Sequence, residues 1–397
     1  MMNHGSTPSA TPSWHAERLS QLPPYLFVEI DRKKRAAIAA GRDIIDFGVG
    51  DPDLPTPQFI LERMAEAIRD PANHRYPLGI GSLRFRETVA EYVGDRFGVT
   101  VDPGTEVVAL IGTKEGLGHL PTAVLNPGDI ALTPDPAYPV YEAATLFAGG
   151  KCHTMSLSDE SDWLPNLEVI PMDVRRRARL MFLNYPNNPT SACATRDFFA
   201  RVVDFVREHR ILIVQDAAYA DLHFGNPPLS ILEIDGAKDC CIELHSLSKT
   251  FSMTGWRIGF AIGNANALSA LAKVKSNMDS GPFGAIQDAA ITALEGIDRP
   301  EIHAQRETYR RRRDVLITGL RELCWKVNTS EATFFVWTRC PDGIDFVAAA
   351  AKLLDDANIV AIPGIGFGPQ GRNYLRFALT VPEPRIAEAV QRMRKLM

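Results

Sequence analysis

Five apolar runs in this chain are each followed at once by residues able to bind charge or move a proton. VVALI (107–111) gives way to Gly112-Thr113-Lys114-Glu115-Gly116, and IALT (130–133) to Pro134-Asp135-Pro136-Ala137-Tyr138. RLMFL (179–183) is followed by Asn184 and then Asn187-Asn188-Pro189-Thr190. ILIVQ (211–215) is followed by Asp216 and then Tyr219, and CCIEL (240–244) by His245-Ser246-Leu247-Ser248-Lys249, with Arg257 further on. Singly, each is weak: a lone Asp at a strand end is ordinarily a helix cap, and a lone loop Lys is ordinarily solvated. In succession they supply a lysine amine for a Schiff base, a carboxylate to keep a ring nitrogen protonated, an Arg, a Ser hydroxyl and loop N–H groups for a phosphate, and a flat aromatic, Tyr138, for a ring face. Asn188 and Tyr219 add hydrogen bonds for a ring oxygen. Pyridoxal 5'-phosphate makes all of these demands at once.

The elements that must position these groups are legible as well. The runs 107–112, 129–134, 179–186, 211–216, 240–246 and 257–263 are apolar almost throughout, as strands covered on both faces are. Helical patterns lie between them; TRDFFARVVDFVREH (195–209) opens on a Thr-x-Asp start and lines up Phe198, Val202, Phe205 and Val206. Alternating strands and helices predict a mostly parallel α/β sheet, in which ligands bind beyond the carboxyl ends of the strands. The last third differs: a basic helix (303–323), TFFVW (333–337), a helix at 345–357 and YLRFALT (374–380) predict a smaller α+β domain. The expected division is a tail at 1–20, a large cofactor-binding domain at 46–289, and a small domain built from 21–45 and 290–397, with the helix at 25–40 packing on the latter.

The run Ser246-Leu247-Ser248-Lys249-Thr250-Phe251-Ser252-Met253-Thr254-Gly255-Trp256-Arg257-Ile258-Gly259 resembles the lysine-to-arginine signature of the class I/II, fold-type I pyridoxal-phosphate aminotransferases, and the likeness extends from about Leu22 to the C-terminus. The resemblance implies Lys249 as the Schiff-base lysine and proton carrier, Asp216 on the ring nitrogen, and Tyr219 and Asn188 on the ring oxygen. It implies Ser246 and Arg257, with the loop at Thr113 and Lys114, about the phosphate, and Ser248 among the cofactor-binding residues. Arg376 would clamp the substrate α-carboxylate, its planar fork suiting that task better than Lys, and Gly50 would bring its backbone to the same group. Tyr76, in HRYPLGIGS, resembles the tyrosine that serves the partner's phosphate, implying a homodimer with shared sites. Within the group, LPPYLFVEIDRKK (22–34), LIGTKEGLGHL (110–120) and MDSGPFGAIQDAA (278–290) resemble LL-diaminopimelate aminotransferases, in which a tyrosine like Tyr25 lies near the substrate; that implies lysine biosynthesis, with 2-oxoglutarate as acceptor.

Two positions depart from the pattern. Ser191 stands where NNPTG usually ends in glycine, and at positive φ a serine costs on the order of 1 kcal/mol. The segment Pro77-Leu78-Gly79-Ile80-Gly81 lacks the carboxylate expected to receive a distal ammonium, and a buried ammonium without a partner is expensive. An alanine-type or other small, apolar amino acid transaminase therefore stays open, as does a β-lyase, which would use the same electron sink. A ligand sensor is the distant reading, since it needs a DNA-binding domain ahead of the fold.

Bulk features agree. With 43 basic and 48 acidic residues the net charge is −5, giving no basic field for nucleic acid. No stretch approaches the roughly 20 apolar residues of a membrane span, and the N-terminus lacks the pattern of a secretory signal, so a cytoplasmic location is expected. The 6 cysteines include no CxxC pair; Cys240-Cys241 reads as strand packing. Gly48-Val49-Gly50 and the glycines of 364–368 lack dinucleotide-site context, the latter reading as a loop. His119, His153 and His245 have no metal spacing, so no metal site is expected. Arg310–Arg313 reads as a solvated helix face.

Overall fold

The computed structural model describes residues 14–22, 26–341 and 346–396. Seven strands form the main sheet in the order Val107–Leu110, Gly259–Gly263, Cys241–Ser246, Leu212–Asp216, Ala178–Asn184, Ile130–Asp135, Lys151–Ser156. All are parallel except Gly259–Gly263, which runs antiparallel to both neighbours. Strand alternation sorts the apolar residues onto two faces. Met181, Leu183, Ile213 and Phe260 join one core with helices Leu83–Phe97, Arg196–His209 and Gly284–Glu295, and Leu180, Phe182, Val214 and Leu244 join another with Thr113–Val124 and Ala265–Met278. This double cover explains why the strand runs are apolar throughout. Helix Arg196–His209 starts where its sequence places it, with the Thr195 hydroxyl accepting from Phe198 N at 3.2 Å.

The C-terminal third forms a four-stranded sheet in the order Ile362–Pro363, Tyr374–Ala378, Phe335–Arg339, Lys326–Val327, antiparallel at every pairing. Helices Pro300–Glu322 and Glu383–Arg394 share its core. Ile45–Asp46 pairs in parallel with Ile359–Val360, and Ala37 of helix Leu26–Ala39 packs on Leu354 and Val360, so the two ends of the chain meet here.

One expectation is corrected. Arg310–Arg313 is not one solvated face. Arg310 pairs with Glu307 and Asp314, but Arg312 is 4% exposed, grips Asp53 bidentately at 2.7 and 2.8 Å, and donates to Leu379 O. Four consecutive helical residues sweep most of a turn, so one of them must point inward. The glycines at 364–368 lie, as expected, in the connection between two small-sheet strands, Ile362–Pro363 and Tyr374–Ala378. Gly364–Phe367 is a 3-10 turn following strand Ile362–Pro363, and it delivers the Phe367 ring to the cavity described next.

Candidate active site

The strand ends converge on one cavity of about 360 Å³. Its walls include Thr113, Lys114, Tyr138, Asn188, Asp216, Tyr219, Ser246, Ser248, Lys249, Arg257, Gly50 and Arg376, twelve of the fourteen residues expected from sequence. Tyr76 is not among them: it is 92% exposed on the surface. Tyr25 lies outside the described residues.

Lys249 sits on the short helix Leu247–Thr250, immediately after strand Cys241–Ser246, with the Ser246 hydroxyl capping Ser248 N at 3.2 Å. Its Nζ donates to Gly50 O at 2.9 Å and lies 5.5 Å from the Phe334 ring centre. Burial, reinforced by the positive Arg376 and Arg257, pulls its pKa down to about 8, against the opposing pull of Asp51 and Asp216. Asp216 ends strand Leu212–Asp216, and burial raises its carboxyl to about 6. The Tyr141 hydroxyl donates to Asp216 Oδ2 at 2.8 Å and Ala218 N to Oδ1 at 3.3 Å, both favouring the anion. A cationic N–H brought against this carboxylate would favour the anion further.

The side chain expected to clamp a carboxylate, Arg376, is held from several sides. Arg376, 4% exposed on strand Tyr374–Ala378, donates to Asn188 Oδ1 at 2.9 Å and to Gly48 O at 3.0 Å. Its guanidinium lies 4.2 Å from the Phe335 ring centre and 4.7 Å from that of Phe367. Asn188 is held in turn by Asn184, whose Oδ1 accepts from Asn188 N at 2.8 Å while its Nδ2 donates to Asp216 O at 2.7 Å. Gly50 has to be glycine on packing grounds, because a Cβ there would meet the Phe335 ring at 2.9 Å.

The same cavity is lined by a cradle of donors for an anion. Helix Thr113–Val124 follows Gly112, and its first two residues, Thr113 and Lys114, line the cavity; the first turn of a helix is suited to an anion. Gly112 has φ +72, and a Cβ would come within 2.3 Å of Arg257 Nη2. Glycine there lets the guanidinium reach the helix end, while Arg257 itself is steadied by Thr254 O at 2.8 Å. Helix N-terminus, hydroxyls and Arg together form the donor set a phosphate requires.

Sequence reasoning missed several participants, Tyr141, Asp51, Phe335 and Phe367, and it named Asn184 without giving it a role. Tyr141 stood one helical turn after Tyr138, a spacing that signals a shared direction. His245 is packed rather than cavity-lining: it stacks on Phe260 at 5.0 Å and pairs with Glu243 at 2.7 Å. Cys241 lies in its strand as expected, with Sγ 3.9 Å from that of Cys240. His119 is less scattered than its sequence position suggests, for its ring joins Glu115 and Asp279 in a group with ligand atoms within 4.8 Å of one another. The fully buried Lys275 already supplies a cation to that group, with Nζ 2.9 Å from Glu115 and 3.2 Å from Asp279.

With this geometry in view, comparison with known proteins is decisive. Residues 42–393 match the description "Aminotransferase class I and II". The chain belongs to that family. This aminotransferase is 53% identical over 382 residues to an LL-diaminopimelate aminotransferase of Syntrophobacter fumaroxidans, covering 96% of this chain and 98% of the relative. It is 48% identical to a protein of the same name from Aquifex aeolicus, covering 96% and 98%. Among solved structures, substrate-bound BacF from Bacillus subtilis superposes with a TM-score of 0.92 at 36% identity, covering 97% of this chain and 98% of that one. A Thermus thermophilus aspartate aminotransferase double mutant gives 0.90 at 27%, covering 97% and 100%. The fold is therefore that of fold-type I aminotransferases, and the chain is an enzyme that moves amino groups between amino acids and 2-oxo acids.

Proposed function

We propose that this aminotransferase carries pyridoxal 5'-phosphate on Lys249 and transfers the α-amino group of LL-diaminopimelate to 2-oxoglutarate. The observation that carries the cofactor assignment is the meeting of Lys249, Asp216 and the Gly112–Arg257 cradle around one cavity. When bound, the cofactor supplies an electron-withdrawing ring that stabilises negative charge at the substrate α-carbon. Asp216 would hold its ring nitrogen, Tyr219 and Asn188 its ring oxygen, and Tyr138 its face. Ser246, Ser248, Arg257, Thr113 and Lys114 would hold its phosphate. Lys249, with its pKa near 8, has enough neutral amine at ordinary pH to take the α-proton and return it. Arg376 binds the α-carboxylate, beside the Gly50 backbone.

The domain division at 46–289, with 21–45 and 290–397 forming the smaller unit, belongs to the same proposal, as does closure of the smaller unit to exclude water. The exposed Tyr76 is assigned to the pocket of a second copy in a homodimer. A cytoplasmic location is included too; among the described residues no helix is long and apolar enough to cross a membrane.

The donor rests on the names of the relatives above. One observation favours a second reading, a smaller or apolar donor: residues 77–81 carry no carboxylate, and Phe335 and Phe367 line the cavity. Asp51 is the lining carboxylate available to a distal ammonium. A donor panel of LL-diaminopimelate, glutamate, alanine and aromatic amino acids, scored by the change in cofactor absorption, decides between them. LL-diaminopimelate should convert the cofactor fastest, and 2-oxoglutarate should restore it. Conversion by alanine alone would replace the donor. Ammonia release without net conversion would replace transamination by elimination.

A further inference from the structure

Ser191 and Thr333 are two buried residues in the left-handed region, φ +63 and +66, that face one another from separate sheets' connections. A non-glycine residue is uncommon there, and a β-branched one is an outlier. Each is strained and persists only where its surroundings over-determine it.

What holds them is a closed hydrogen-bond chain. Ser191 Oγ donates to Phe335 O at 2.8 Å and lies 2.8 Å from Thr333 Oγ1. Since the Ser191 proton is already committed to Phe335 O, Thr333 must donate to Ser191. Thr333 Oγ1 also accepts from Phe335 N at 3.0 Å. On either side the backbone is pinned, Ser191 N to Asn187 O at 2.9 Å and Thr333 N to Leu222 O at 2.7 Å.

The two segments so joined carry the two supports of Arg376. The loop ending at Ser191 carries Asn188, which accepts from Arg376 Nη1. The strand beginning after Thr333 carries Phe335, whose ring lies against the same guanidinium. We propose that the Ser191–Thr333 pair is a positioning latch, setting the separation of Asn188 from Phe335 and thereby the aim of the Arg376 fork at the substrate carboxylate. This goes beyond strain relief: glycine at 191 would satisfy the backbone better than serine does, so the hydroxyl is the part with a task.

The proposal rests on Arg376 as the carboxylate clamp. Its test is calorimetric titration of the cofactor-loaded protein with 2-oxoglutarate, together with steady-state kinetics. Ser191→Gly removes the hydroxyl while relieving the backbone, and Thr333→Val removes the second hydroxyl. Both should weaken 2-oxoglutarate binding and raise KM for donor and acceptor by about tenfold, the order expected for misaligning one charged hydrogen bond, with kcat within about twofold. Thr333→Ser, which keeps the hydroxyl, should return both values to wild type. Cofactor absorption should be the same in all four proteins. Wild-type affinity in Ser191→Gly overturns the latch alone. A wild type that loads cofactor yet binds no 2-oxoglutarate overturns the latch and the proposed acceptor together.

Discussion

Replacing Lys249 with alanine is expected to lower transamination by at least about 10³-fold, since in the proposed function one side chain provides both the covalent anchor and the proton carrier. The variant should still bind pyridoxal phosphate, because the Gly112–Arg257 cradle and Asp216 are untouched, but dialysis should remove it. Steady-state assay and absorbance before and after dialysis read both effects. The wild-type comparison carries a pH signature. Burial and the neighbouring Arg376 and Arg257 depress Lys249 to about 8, so the neutral amine becomes dominant above that pH. Covalent reloading of cofactor-free protein should accelerate as pH rises toward about 8 and then level, whereas an unperturbed lysine would keep accelerating to about 10. Full activity in the alanine variant would show that another amine does the work.

Arg376→Lys is expected to lower kcat/KM by about a hundredfold although the charge is kept. Arg376 uses a planar fork: Nη1 reaches Asn188 and Nη2 reaches Gly48 O while the same plane lies against the Phe335 and Phe367 rings. A lysine ammonium is a point charge on a thin stem. It cannot occupy both sites or stack between two rings. The loss should appear mainly in KM for amino acid and oxo acid alike, because carboxylate binding serves both half-reactions. Cofactor absorption should stay as in wild type, since Lys249, Asp216 and the Gly112–Arg257 cradle are unchanged. Unchanged KM values would remove Arg376 from the clamp.

Most of the site was legible because a parallel sheet sends every strand's last residue to one edge. Asn188, Asp216, Tyr219, Ser246 and Lys249 declare themselves by following apolar runs, and the structure gathers them as that rule requires. Arg376 has no such local signal, being an interior residue of an antiparallel strand, and it was reached through the family resemblance. The groups that stayed hidden act across elements. Tyr141 reaches Asp216 from 75 residues away, and Phe335 and Phe367 look in sequence like ordinary core aromatics. Arg312 was misjudged with its neighbours because periodicity alone does not reveal that Asp53 waits on the inward side. Lys275 carries no sequence signal of its burial, since its partners Glu115 and Asp279 come from helix Thr113–Val124 and from the end of its own helix. Ser191 was visible as a departure, but its compensation was not, because Thr333 lies 142 residues further along the chain.

Borohydride reduction of the purified, cofactor-loaded protein, followed by peptide mass mapping, tests the central claim most directly. Reduction makes the link between lysine and cofactor permanent. The expected result is a single phosphopyridoxyl group on the peptide containing Ser246–Arg257, at Lys249. A label on Lys114 or another lysine, or no label on protein that is nonetheless active, would contradict it.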